Sequence, residues 1–281
     1  MRKILVGLTA LTMFGGASSA HADGVELHGF GDISLKNDYV TPRGLVVTSD
    51  GATIQVLNGL VLTTPVGVAF HAGTWVDLNP GYGDINTDSV NEFDFFVGAS
   101  GEIVPKLEAG VEYSQFISGQ NAYDDERNIE FSLKYKDGSE GSPFSINPYV
   151  KFFWAVDGDS TVVFGKKAST FDVEVGAAPT YAFANGGSLT MPTWITVGPK
   201  SYWGSAESGG TPDENFGVFS TGLKGSMPLK FIKGGANASI YAQAQYYHLI
   251  NDNLVAAKAL LNGGDSDRDH VVLATGISFG F

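Results

Sequence analysis

Apolar and polar residues alternate with a period of two through most of this chain. Between 106 and 117, Leu107, Ala109, Val111 and Tyr113 alternate with Glu108, Gly110, Glu112 and Ser114. Between 127 and 136, Ile129, Phe131, Leu133 and Tyr135 alternate with Asn128, Glu130, Ser132, Lys134 and Lys136. At the end of the chain, Val271, Leu273, Thr275, Ile277, Phe279 and Phe281 alternate with His270, Val272, Ala274, Gly276, Ser278 and Gly280. A period of two marks an extended strand; a helix would space its apolar positions three and four apart. One face is wide and apolar, the other small, polar or charged. That predicts strands with lipid on one side and a wet or tightly packed lumen on the other.

The pattern predicts strands over 25–36, 52–64, 66–77, 90–100, 106–117, 127–136, 145–156, 169–182, 188–198, 214–224, 236–248 and 269–281. The even number and the lengths suit strands crossing a bilayer at a tilt. Connections alternate in length. The stretches 37–51, 78–89, 118–126, 157–168, 199–213 and 249–268 are long; 64–65, 101–105 and 183–187 are short; 137–144 is intermediate; and 225–235 is a long turn among short ones. A β-sandwich has no reason to alternate in this way, whereas a barrel with long extracellular loops and short periplasmic turns does. The expected fold is an all-β, closed antiparallel transmembrane β-barrel of about twelve strands with both termini in the periplasm.

The first residues change the picture by implying export. Arg2 and Lys3 precede an apolar run from Ile4 to Phe14, and Ala20-His21-Ala22 offers a small-x-small cleavage site. We expect a signal peptide at 1–22 and one barrel at 23–281. No later segment is long and apolar enough for a helical span, so membrane integration requires a barrel. Cysteine is absent, which excludes disulfides and thiolate metal sites, while 37 glycines suit turns and crowded interiors. Without Arg2 and Lys3, 15 basic residues face 30 acidic ones, a formal charge of −15. That balance argues against nucleic acid as a partner.

Candidate chemistry lies on the lumen-facing parity. Asp94, Glu108, Glu112, Glu130, Asp172 and Glu174, with Lys134 and Lys151, are the candidate selectivity residues; Glu26, Asp32, Glu92, Lys36 and Lys136 share their face. Acids outnumber bases, and a low-dielectric wall would focus that potential on cations or neutral polar solutes. The alternative is an ion-pair network that fills a non-conducting barrel, with Glu130 or Glu112 pairing Lys134 or Lys151. His28 and His71 also face inward, but no G-x-S-x-G elbow or other nucleophile motif accompanies them, so no enzyme and no cofactor are expected. Two loops, Asp84-x-Asn86-x-Asp88 and Asp265-x-Asp267-x-Asp269, space oxygen ligands as a hard cation would need. The first lacks the glycine of an EF-hand loop and the second its closing glutamate.

Residues 34–45, followed by Ile54-Gln55 and Gly59-Leu60, resemble the first-hairpin region of the TorF-like (Gcw_chp) putative porins. Asp38, Tyr39, Arg43 and Gly44 carry the match, with Thr41-Pro42 as a departure in spacing. The resemblance implies an outer-membrane barrel and no catalytic residues. The combined expectation is a bacterial outer-membrane channel for passive diffusion of small solutes, leaning toward cations. The alternative is a plugged surface-binding or structural barrel, or more remotely an outer-membrane lipid hydrolase or protease. Expected partners are outer-membrane lipids, lipopolysaccharide, and the insertion machinery that would read the last strand ending in Phe281.

Overall fold

The computed structural model describes residues 20–22, 24–48, 51–79, 89–119, 125–139, 141–157, 169–200, 202–203, 215–232 and 237–281. Twelve strands close an antiparallel barrel. Six form its first half: β2 (Val25–Lys36), β5 (Thr53–Thr63), β6 (Val68–Leu78), β7 (Val90–Val104), β8 (Leu107–Ser118) and β9 (Glu126–Tyr135). Three more are broken in two: β10 with β11 (Phe144–Ser145, Pro148–Asp157), β12 with β13 (Thr170–Ala177, Thr180–Ala182) and β14 with β15 (Ser188–Thr190, Thr193–Val197). β16 (Phe216–Pro228), β17 (Asn237–Leu249) and β18 (Asp269–Gly280) complete the wall. Each strand pairs with its sequence neighbour, and β18 returns to β2 with Ile277 opposite Ile33 and Gly280 opposite Phe30. Of the expected leader, only β1 (Ala20–Ala22) is among the described residues, running antiparallel beside Val25 to Leu27.

The alternation places the side chains as expected. Leu27, Ile33, Leu35, Phe93, Val97, Val111, Phe131, Leu133, Phe152, Val175, Leu223, Ile240, Leu273 and Ile277 are exposed on the outside. In water such a belt would be untenable; against lipid it is the expected outer surface of a transmembrane barrel. Trp154 and Tyr135 stand exposed near opposite ends of this belt, and Trp154 Nε1 donates to Ser169 Oγ at 2.7 Å.

The seam depends on two glycines. Gly29 and Gly31 face outward on β2, and the rings of Phe281 and Phe279 lie over them. The closing aromatics therefore pack on bare backbone. Main-chain bonds continue to the last residue: Gly29 N donates to Phe281 O at 2.7 Å and Phe281 N to Gly29 O at 3.0 Å.

The structure departs from the sequence reading at two strand ends, at three prolines and in the last loop; β7 runs on to Val104 where the pattern ended the strand at 100. β16 runs on to Pro228, so the anomalous long turn after it shrinks to 229–236. The three breaks fall at Pro148, Pro179 and Pro192, whose missing N–H interrupts a ladder. At the first break Asn147 takes a left-handed φ of 51°, and the Asp137 carboxylate accepts the freed N–H groups of Ile146 and Asn147 at 2.9 and 2.8 Å. The last loop, a long connection in the sequence analysis, holds a helix, α1 (Asp252–Leu261). Its signals are local: Asn251 caps it by accepting from Asn253 N, and Gly263 and Gly264 end it with positive φ.

The seam yields a prediction. A Cβ at Gly31 would lie 2.4 Å from the Phe279 ring. Gly31→Val is expected to cost about 1–3 kcal/mol by overpacking. The refolded variant should lose its heat-modifiable gel shift at a lower temperature than wild type; an unchanged transition would refute the packing assigned to this pair.

Candidate functional site

The first extracellular loop folds back into the barrel. Its hairpin consists of β3 (Tyr39–Val40) and β4 (Val46–Thr48), with Val40 opposite Val46. The turn is set by its own sequence. Gly44 N donates to Thr41 O at 2.9 Å, Thr41 N donates to Leu45 O at 2.9 Å, and Leu45 N donates to Thr41 Oγ1 at 3.1 Å. Pro42 suits the second position of such a turn, and Gly44 supplies a φ of +92°. Gly44 also lets the backbone approach β16, since a Cβ there would lie 2.8 Å from Val218 Cβ.

An apolar cluster holds the hairpin in place. Val40 and Val46 pack with Val218, Tyr247, Leu249 and Val272 of the wall, with Tyr202 and Trp203 of the fifth loop, and with Leu254 and Ala257 of α1. Val46, Trp203, Val218, Leu249 and Leu254 all have 0% exposure. Asn262 Nδ2 donates to Val46 O at 3.0 Å, Trp194 Nε1 donates to Pro42 O at 3.0 Å, and Asp38 pairs with His270 at 3.1 Å. Burial raises the Asp38 pKa, and His270 works against that rise. These contacts join three outer loops into one apolar closure at the extracellular end.

The hairpin tip carries Arg43 onto the opposite wall. Its Cζ sits 3.3 Å from the centroid of the Phe153 ring and 5.7 Å from that of Phe116, and Nε lies 3.5 Å from Asp172 Oδ1. Around this point carboxylates and aromatics alternate along the sheet. Asp94 is opposite Phe116 and Phe116 opposite Glu126; Glu130 is opposite Phe153 and Phe153 opposite Asp172. Burial alone would lower the Arg43 pKa, but the carboxylates Asp172, Glu126 and Glu130 outweigh it and hold the guanidinium above its ordinary value. Burial likewise pushes the Tyr202 phenol well up; Arg43 opposes this, and Asp172, to which Tyr202 is hydrogen-bonded, adds to it. A buried guanidinium stacked on rings and facing carboxylates is a strongly favoured arrangement.

The candidate selectivity residues divide into an upper and a lower group. Asp94 and Asp172 join the arc at Arg43. Glu130 pairs with Lys151 at 3.1 Å, as the network alternative required, and Glu174 accepts from Tyr149 Oη at 2.7 Å. Glu108 pairs with Lys136 at 2.6 Å and lies across from Lys134, while Glu112 meets His71 at 2.9 Å and neither lysine. Across the lumen Lys224 lies 3.9 Å above the Tyr241 ring, and Tyr241 Oη donates to Asp32 at 2.8 Å. The β2–β7 wall instead presents an apolar inner patch of Phe30, Leu57, Val61, Ala69 and Phe96.

Sequence reasoning missed four charged members of this interior. Glu126 and Asp77 share the inward parity of Glu130 and His71 and were legible; Asp77 is buried and accepts from Thr53, Gln55 and Asn91. Lys224 lay where apolar residues occupied both faces. Arg43 lay in a loop, and no pattern in the chain signalled its inward course.

The loop carboxylates do not gather. Asp265 pairs with Lys258 at 2.9 Å, a lysine with 1% exposure, and Asp269 accepts from Tyr246 Oη at 2.6 Å and pairs with His248 at 2.7 Å. Among the described residues no three His, Asp or Glu side chains converge on a metal position. Asp84, Asn86 and Asp88 lie outside the described residues.

Solved structures are similar to this chain. The NanC porin superposes with a TM-score of 0.50 at 9% identity, covering 90% of this chain and 98% of its own. The COG4313 outer-membrane channel from Pseudomonas putida F1 superposes with a TM-score of 0.49 at 12% identity, over 96% and 100% of the two chains. At these identities the likeness concerns the fold alone. No family model matches the chain, and no curated protein matches it either. The similarity to the TorF-like porins therefore stands on residues 34–60 only. The closed barrel and its apolar belt make this a protein of the bacterial outer membrane.

Two predictions follow from the loop contacts. Gly44→Val strains a positive φ and collides with Val218, so it should unseat the hairpin. Limited trypsin digestion of the refolded barrel should then cut after Arg43 in the variant and spare it in wild type; equal resistance would show that the tip tolerates the side chain. Asp265 has a lowered pKa because Lys258 hydrogen-bonds its carboxylate. Its contribution is present above the ordinary carboxylate range, near ~3.9, and is lost as pH falls through the lowered value. Asp265→Asn should therefore melt earlier than wild type at neutral pH, with the gap closing in acid; a gap independent of pH would refute the linkage.

Proposed function

We propose that this barrel is a channel for passive diffusion of small polar solutes, with a preference for cations, narrowed by the 39–48 hairpin. The observation that carries this reading is the excess of inner-wall carboxylates at the constriction. Arg43 faces Asp94, Glu126 and Asp172, while Lys151 on the same wall is engaged by Glu130. Charge on a low-dielectric wall around a narrow bore acts strongly on a passing ion. A barrel of twelve strands stands between filled eight-stranded barrels and open sixteen-stranded porins, which suits a narrow path. Membership of the TorF-like porins belongs to the same proposal, because Tyr39, Arg43 and Gly44, which with Asp38 carry that resemblance, build the constricting hairpin. The surrounding lipids, lipopolysaccharide and an insertion machinery engaging the last strand are its proposed partners.

A second reading, a plugged barrel acting as a surface-binding or structural protein, is favoured by the apolar closure around Val46, Trp203 and Leu254. Planar-bilayer recording of the refolded protein separates the two. Discrete single-channel steps with a cation-selective reversal potential are expected, and their absence in every salt would favour the plug. Asp94→Asn combined with Glu126→Gln should move the reversal potential toward zero; no movement would remove these residues from selectivity.

A further inference from the structure

We propose that the acid and aromatic arc on β7–β12 is a binding site for small organic cations of the guanidinium or ammonium class, and that Arg43 is its tethered, displaceable occupant. The inference rests on the channel reading and names the solute class which that reading leaves open.

The arc has more binding capacity than Arg43 uses. Oδ1 of Asp94 and Oδ1 of Asp172 are buried without a hydrogen-bond partner. Asn128 is fully buried and stands between Glu126 and Glu130 on the inward face of β9, within the same arc. Arg43 approaches Asp172 Oδ1 only to 3.5 Å, outside good hydrogen-bond geometry. Each orphaned buried polar group costs about 1–3 kcal/mol, so a cluster of them marks a place where a ligand or water completes the structure. Both unmet atoms are acceptors, and ring faces of Phe116 and Phe153 stand beside them. A cation that carries several N–H donors and can lie on a ring meets both demands. A bare metal ion does not: no three ligating side chains converge among the described residues, and rings offer it no donor. The apolar patch of Phe30, Leu57, Val61 and Phe96 on the β2–β7 wall would suit the organic part of such a solute.

Arg43 then acts as a tethered competitor. A group on a short loop competes at an effective concentration of about millimolar, so a free cation binds weakly until the tip is withdrawn. The hairpin is held by its apolar sides, Val40 and Val46, and these contacts do not need the Arg43 charge.

Titration calorimetry of the refolded, detergent-solubilised barrel with methylguanidinium tests this. Arg43→Ala should bind at least about tenfold more tightly than wild type, as removal of a tethered competitor requires. Arg43→Gln provides a second variant that keeps the length of the side chain, and a heat-modifiable gel shift confirms that each variant is folded. Adding Asp172→Asn or Phe153→Leu to Arg43→Ala should remove the gain, and potassium chloride at equal ionic strength should give no saturable heat. No gain in either folded Arg43 variant, or a gain that survives loss of Asp172 and Phe153, would overturn the proposal. Binding without conductance in bilayers would refute the channel reading alone; conductance without the gain would refute this site alone.

Discussion

Hydrocarbon offers no water to satisfy a peptide group, and the rest of this structure depends on that constraint. A strand in lipid must find partners for every N–H and C=O on both edges, so the sheet must close. Closure is made by β18 on β2, where Phe279 and Phe281 cover Gly31 and Gly29 while the ladder continues beneath them. The same demand explains the repair at the broken strands. Where Pro148 interrupts the wall, Asp137 takes up the N–H groups of Ile146 and Asn147. Once the wall is closed, period-two alternation sends every second side chain inward, and the lumen becomes the only place for charge.

That lumen is uneven. The β2–β7 wall carries the apolar patch of Phe30, Leu57, Val61 and Phe96, while the β7–β12 wall carries the acids around Arg43 and the pairs Glu108–Lys136 and Glu130–Lys151. The first loop bridges the two kinds of surface. Its valines join an apolar cluster with α1 and the fifth loop, and its arginine reaches the acidic wall. One short hairpin therefore couples the closure of the mouth to the electrostatics of the bore. Arg43 is the point at which they meet, because its charge is compensated only while the valines remain seated.

The wall was legible in the chain. The first strand was read at 25–36, where it stands, and strands such as β9 and β11 were found with their faces, because a one-residue error would have put Glu130 or Lys151 into lipid. The strand breaks were less legible. Prolines 148, 179 and 192 were visible, but the chain could not say that the three would lie on neighbouring strands. Phase near 214–224 was ambiguous because Phe216, Val218 and Phe219 offer apolar residues to both faces; packing resolved it by burying Val218 against Gly44 and Leu254. The α1 helix had a cap and a glycine stop, and its short Ala- and Leu-rich run passed for loop.

By itself the sequence determined a closed barrel, the orientation of its strands and the inward placement of Asp94, Glu108, Glu112, Glu130, Lys134, Lys151, Asp172 and Glu174. Those follow from a local rule, alternation against a bilayer, which each strand obeys on its own. Which of these charges neutralise one another was decided by the tertiary structure, since pairing depends on register between strands. The tertiary structure also decided that Arg43 lies among them. A loop obeys no period, and the course of this one was set by contacts with Val218, Trp194, Leu254 and Asn262, residues more than a hundred positions away along the chain.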